Sequence, residues 1–280
     1  MGWTRRRVLA RGAVTAAAVG TSTMLATEAL ALPVVDMEMV LLAAQVDPPK
    51  ADTGLTPGAS GHVIEVERAL NAKGLLTSGA VDGHYGTSTI SAYAAWQRSL
   101  NYTGIDANGI PGPTSLTSLG SGRFTLTRTV STGSRTDTYG GGRVNTRTRN
   151  MLAAADAMLS FNLVLSQGSY TSSNPSSAGT HDGGGVVDIS VTSMTTTQRW
   201  ETVRALRTVG FAAWLRNPSQ GSWPYHIHAA AVSDPDLASA ARNQIHDYYF
   251  GRNGLANHAA DDTPTAYRVA FTWWEKYRRG

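Results

Sequence analysis

The chain has 280 residues, with 24 Lys and Arg against 20 Asp and Glu, 41% hydrophobic residues and no cysteine. That apolar content excludes an intrinsically disordered chain, and the missing cysteine excludes disulfides, thiolate zinc sites and Cys-ligated iron–sulfur clusters. Arg5, Arg6, Arg7 and Arg11 against Glu28 account for most of the net charge of +4, so the rest of the chain is close to neutral and gives no electrostatic case for nucleic acid.

Thr4-Arg5-Arg6-Arg7-Val8-Leu9 precedes a mildly apolar stretch from Ala13 to Ala26, and Ala29-Leu30-Ala31 has the form of an A-x-A cleavage site. Together these predict a twin-arginine export signal over residues 1–31, with a Sec signal or an N-terminal anchor as the alternatives. Gly and Thr interrupt the apolar run, so no stable membrane span is expected after cleavage. The expected location is secreted and extracytoplasmic. Residues 32–60 are expected to be a mature N-terminal segment and linker. Val34 to Leu42 reads either as a short amphipathic helix or as the start of a tail, and the Pro/Gly/Thr-rich run from Asp47 to Ser60 reads as the linker.

A helical module is expected over residues 61–122. His62 to Leu70 has apolar positions at helical spacing, and Gly74 would end that helix. Asp82-Gly83-His84-Tyr85-Gly86-Thr87-Ser88-Thr89 then forms a turn that feeds a helix running through Leu100. The pattern recurs at Asn108-Gly109-Ile110-Pro111-Gly112-Pro113-Thr114-Ser115. Glycines supply the turn, and hydroxyls can cap the helix that follows. Asp82-Gly83-x-Tyr85-Gly86-x-x-Thr89-x-x-Ala92-x-x-x-Trp96-Gln97 closely resembles the type-1 peptidoglycan-binding domain, a small three-helix fold. The resemblance implies peptidoglycan as partner, with the module holding an enzyme on the cell wall and raising its effective substrate concentration.

From Phe124 the pattern predicts one further domain, residues 123–280. Helices are expected at Arg147–Leu159, Thr195–Val209 and Asp236–Tyr249, and strands at Asn162–Gln167, Val186–Ser190, Phe211–Leu215 and His226–Val232. Trp273 and Trp274 read as a packing anchor. The fold class is α+β: a small three-helix bundle followed by an α+β domain with a mainly antiparallel sheet.

The chemistry-bearing set is His181, Asp188, His226 and His228. Residues two apart on a strand share a face, so His226 and His228 point one way and Ile227 the other. Asp188 would project from a neighbouring strand, with His181 in the glycine-rich loop before it. Two imidazoles and a carboxylate suit a divalent zinc ion with one position left open for water, although His and Asp ligands accept several metals. Asp182 and Tyr225 are candidate supporting contacts, and Trp223, Tyr225 and Tyr170 flank the expected site.

Gly179-Thr180-His181-Asp182-Gly183-Gly184-Gly185-Val186-Val187-Asp188, with the late His228, resembles the zinc peptidases of the lysostaphin / D-Ala-D-Ala metallopeptidase / sonic hedgehog superfamily. The likeness covers roughly residues 145–250 and is greatest to the carboxypeptidase branch, whose signature is Ser-x-His-x-x-Gly-x-Ala-x-Asp. Gly179 replaces the Ser. The resemblance implies that His181, Asp188 and His228 hold the zinc. Tyr225 stands where that branch places an acidic base, and Ser166 to Thr171 lacks the arginine that grips a substrate carboxylate there. In the lysostaphin-like branches the first His of H-x-H lies near the zinc-bound water, which implies a catalytic role for His226. The expected protein is a wall-associated monomer, a zinc hydrolase cleaving an amide bond in the peptide part of peptidoglycan. The alternatives are an amidase acting at the glycan–peptide junction and a non-catalytic, metal-stabilised wall-binding protein.

Overall fold

The computed structural model describes Met1 and residues 31–47, 56–172 and 174–280. The arginine run and apolar stretch of the expected export signal lie outside the described residues, as does the centre of the expected linker, residues 48–55. Residues 1–31 form one unit and Leu32–Gly280 another. Among the described residues, no helix is long and apolar enough to cross a membrane.

Strand β1 (Val34–Asp36) leads directly into helix α1 (Met37–Val46). Asp36 caps the helix by accepting from the Glu38 amide at 3.0 Å. Nine of its ten residues are buried, the pattern of a helix apolar on all sides. Its two polar exceptions are satisfied: Arg279 and Trp273 Nε1 donate to Glu38, and Gln45 pairs with the Asp234 carbonyl and the Ser233 amide. Residues 34–46 are therefore core rather than tail: of the two readings of this stretch the helix is found, buried on nearly every side instead of amphipathic.

The helical module comprises α2 (Ser60–Ala72), α3 (Thr87–Ser99) and α4 (Pro113–Gly120). Its two similar turns are each read by a side chain from an earlier helix. Glu67 in α2 accepts from the amides of Asp82 and Gly83 and from the Thr89 hydroxyl. Gln97 in α3 accepts from the Gly109 amide and donates to the Ile110 carbonyl. Burial pushes the Glu67 carboxyl up to about 7, with its hydrogen bonds opposing the shift. Trp96 Nε1 donates to the Ser115 carbonyl, so this tryptophan ties α3 to α4.

After the module, β2 (Thr125–Thr127) pairs in parallel with β1, and β3 (Asp137–Tyr139) forms a ribbon with β4 (Gly142–Val144). Then come α5 (Thr146–Asp156), β5 (Leu165–Gln167), β6 (Val186–Ser190), α6 (Thr196–Thr208), β7 (Phe211–Arg216), β8 (His226–Ala231), α7 (Ser239–Tyr249) and the short α8 (Trp274–Arg279). The main sheet is antiparallel throughout, in the order β5-β6-β8-β7. The fold is α+β. Strand β5 begins three residues later than expected. Helix α7 also starts late, because Asp234 accepts from the Asp236 amide and holds that segment as a turn.

The sheet separates two cores. Val187, Ile189, Ala213, Leu215, Ile227 and Ala229 pack on α5 and α6 through Met151, Leu152, Val203 and Leu206. On the opposite face, Val186, Ala212, Trp214 and Ala230 belong to a core shared with α1, α7 and the helical module, including Leu41, Leu70, Trp96 and Ile245. Residues 61–122 and 123–280 thus both contribute side chains to this second core.

Candidate metal centre

Register builds the site. On the sheet face shared with Val186 and Ala230, Asp188 lies directly opposite His228, and Ser190 opposite His226. Strand β7 adds Trp214 beside His228 and Arg216 beside His226. One end of this face is apolar and covered, and the other carries the titratable groups. His181 enters from the loop before β6 and is almost wholly buried. Glycines make that loop possible: a Cβ at Gly183 would collide with the Asp236 carbonyl, and Gly185 adopts a φ of +77° that side chains disfavour.

His181, Asp188 and His228 each direct one ligand atom into a cluster whose members all lie within 4.8 Å of one another. His228 Nδ1 is 2.8 Å and His181 Nε2 3.3 Å from Asp188 Oδ1. Two donors at tetrahedral angles on bonds of about 2.0–2.2 Å stand roughly 3.3–3.5 Å apart; the His181–Asp188 pair is at that spacing, while the His228–Asp188 pair stands at hydrogen-bond distance and would open slightly around a shared cation. His226 Nε2 lies 3.8 Å from the same oxygen.

The far side of each ring fixes what the near side offers. His181 Nδ1 meets the Gly168 carbonyl at 2.9 Å, and His226 Nδ1 meets the Pro224 carbonyl at 2.9 Å. His228 Nε2 meets Gln244 Oε1 at 2.8 Å. The Gln244 amide is oriented by its own donation to the Gly254 carbonyl at 3.3 Å. All three outer partners are acceptors, so each neutral imidazole spends its only N–H outward. Three lone pairs then face one carboxylate. Acceptors at these distances repel unless a proton or a metal ion stands between them. Burial lowers the His228 pKa and so disfavours its second proton. Burial also opposes charge on Asp188, but positive charge among these nitrogens, with a ring proton of His181 or His228 bonding to the carboxylate, outweighs it and holds this carboxyl well below the usual range. A carboxylate beside imidazoles with outward N–H groups is a donor set that could hold a divalent metal ion.

The structure brings together all four residues singled out in the sequence and sorts the surrounding ones. Asp182 is exposed and makes no hydrogen bond to the cluster among the described residues. Tyr170 is part of a separate polar network: its hydroxyl donates to Asp236 at 2.7 Å. Tyr225 is 48% exposed with Arg199 over its ring, and Trp223 packs edge-on against His226.

Sequence reasoning missed Gln244, Trp214 and Arg216. Gln244 is on α7, a turn of helix beyond any local motif. Trp214 stacks against His228. Arg216 is 3% exposed, lies over the Trp214 ring and donates through Nη1 to the Asn253 carbonyl at 2.6 Å, while its buried Nη2 has no partner. Burial lowers its pKa to about 10, against the pull of Asp188. The alternation of β7, with Trp214 and Arg216 two apart, was the available signal.

Gln244→Leu removes the acceptor that holds the His228 tautomer. Affinity for zinc, the metal proposed below, should fall by about 10–100-fold, measured by competition with a chelator. An unchanged affinity would show that Gln244 does not orient the ring.

Residues 60–119 match the family model for a peptidoglycan binding domain. The match covers α2 to α4 and supports association of the chain with the cell wall. No curated protein and no solved structure matches the chain significantly.

Proposed function

We propose that the chain is an exported, zinc-dependent peptidoglycan hydrolase that cleaves an amide bond in the stem peptide or cross-link. The observation that carries this reading is the convergence of the outward-tethered imidazoles of His181 and His228 on Asp188 beside a third, more accessible histidine, His226. The peptidoglycan-binding module supports the choice of polymer. His181, Asp188 and His228 would hold the zinc. When bound, the ion supplies Lewis acidity and lowers the pKa of a coordinated water towards ~7.

The chain's own residues complete the chemistry. The His226 side chain keeps 15% of its surface exposed and Asp188 16%, so the cluster opens to substrate on that side. Pro224 holds the His226 Nδ1 proton, which leaves Nε2 as a base at the mouth of the site. There Nε2 accepts a proton from water during attack and returns it to the departing amine. Trp223 against the ring edge limits its rotation. Tyr225, at the position where a carboxypeptidase carries its acidic base, cannot perform this step. With no arginine in the Ser166–Thr171 segment, an internal peptide bond fits this site better than a terminal one.

Purified sacculi incubated with the zinc-loaded protein should release new muropeptide fragments by mass spectrometry, and chelation should stop the release. The cleaved bond follows from the fragment masses, and cleavage between sugar and peptide would identify an amidase. A protein that binds zinc stoichiometrically and pellets with sacculi but releases nothing would be a metal-stabilised binder, and the hydrolase reading would fall.

A further inference from the structure

We propose that the groove where the helical module meets the sheet unit binds the sugar backbone of a glycan strand; this rests on peptidoglycan being the polymer acted on. The groove encloses about 420 Å³, within the roughly 300–1,000 Å³ of small-ligand sites. Tyr102, Asp106 and Thr114 line it from the module, and Thr132, Arg135 and Asp236 from the other side.

The groove is built across the seam and held rigid. Arg135 Nη2 bonds Asp106 at 2.5 Å, and Arg135 bonds Asp236 through Nε and Nη2, each at 2.7 Å. Asn108, from the second turn, donates to the carbonyls of Pro235 at 3.0 Å and Leu237 at 3.2 Å. A site whose walls are cross-linked before ligand arrives loses less entropy on binding.

Its chemistry selects the ligand. Two carboxylates face one guanidinium that they already occupy, so anions are repelled; the carboxylate-bearing stem peptide is a poor occupant. Carboxylate and hydroxyl acceptors beside a half-buried tyrosine ring suit a neutral, polyhydroxylated ring with one C–H face. The position is also informative. The Asp236 carbonyl accepts from the Gly184 amide at 2.8 Å, and a Cβ at Gly183 would meet Ile105 Cδ1 at 2.9 Å. The groove therefore backs onto the loop joining His181 to Asp188. A sugar held there is fixed relative to the loop that carries a metal ligand.

Chitotetraose supplies the β-1,4-linked amino-sugar backbone without peptide, and is titrated calorimetrically into the full zinc-loaded chain. Thr114 is exposed, so Thr114→Trp fills the groove from outside the core; Tyr102→Ala removes the platform. Both variants are checked by thermal melting. The wild type is expected to bind, and each folded variant to bind at least tenfold more weakly. No wild-type binding, or undiminished binding by both folded variants, would overturn the proposal. Fragment release from sacculi is measured in parallel. Release without chitotetraose binding sinks the groove and leaves the hydrolase standing. Groove-dependent binding without release does the reverse.

Discussion

Asp188→Asn is expected to abolish the response of the protein to zinc. Asn is nearly isosteric, and β6 keeps its ladder with β8 through backbone groups, so the fold survives. The change removes the carboxylate charge around which the three histidines are arranged. In the wild type, zinc at about 1,000 times its Kd adds about 4 kcal/mol of stability. For a unit of this size each kcal/mol moves the melting temperature by about 2–4 °C. Calorimetry should therefore show a zinc-dependent rise of roughly 8–16 °C in the wild type and none in Asp188→Asn. The two metal-free proteins should melt within a few degrees of each other. In the variant, an amide N–H can satisfy the His228 lone pair that needs a cation in the wild type. A variant that kept the full zinc response would mean that the ion binds elsewhere.

His226→Ala separates metal binding from turnover. His226 Nε2 is the outermost nitrogen of the cluster, 3.8 Å from Asp188 Oδ1, and the ring hangs from the Pro224 carbonyl rather than from the core. Zinc stoichiometry and the zinc-dependent rise in melting temperature should persist. Fragment release from sacculi should fall by about 10²–10⁴-fold, the usual range for loss of a general base, or ~3–5 kcal/mol in activation free energy. Loss of zinc with the substitution would make His226 a ligand instead of a base. Retention of activity within tenfold would remove its role in proton transfer.

The two experiments probe different layers of one arrangement. Asp188 and His228 are joined by strand register, and His181 by the glycine loop. Loss of any of the three is expected to cost the proposed cation. His226 stands at the open edge, where loss is chemical rather than structural.

Much of the site was legible because strand periodicity is local. His226 and His228, two apart, must share a face in any strand, and Asp188 within Val186–Ser190 was a strand residue by the same argument. The spacing of turns at Asp82 and Asn108 likewise marked the helical module without any long-range information. Other features were hidden for identifiable reasons. Helix α1 lies beneath both halves of the molecule, so its apolar residues carry no periodic contrast, and Glu38 and Gln45 resemble surface residues until Arg279, Trp273 and Ser233 arrive from far along the chain. Helix α8 is only six residues long, and its Arg279 meets Glu38 in α1.

The sequence by itself determined the residue types of the candidate centre, the faces on which His226 and His228 lie and the identity of the peptidoglycan-binding module, because these depend on spacing over a few residues. Tertiary structure decided that Asp188 faces His228, that Gln244 and the Gly168 and Pro224 carbonyls meet the outer nitrogens of three rings, and that the module and sheet share one core. Those relations join segments tens to hundreds of residues apart. Only the closing of the sheet, and the burial that makes each unpaired polar group costly, selects them.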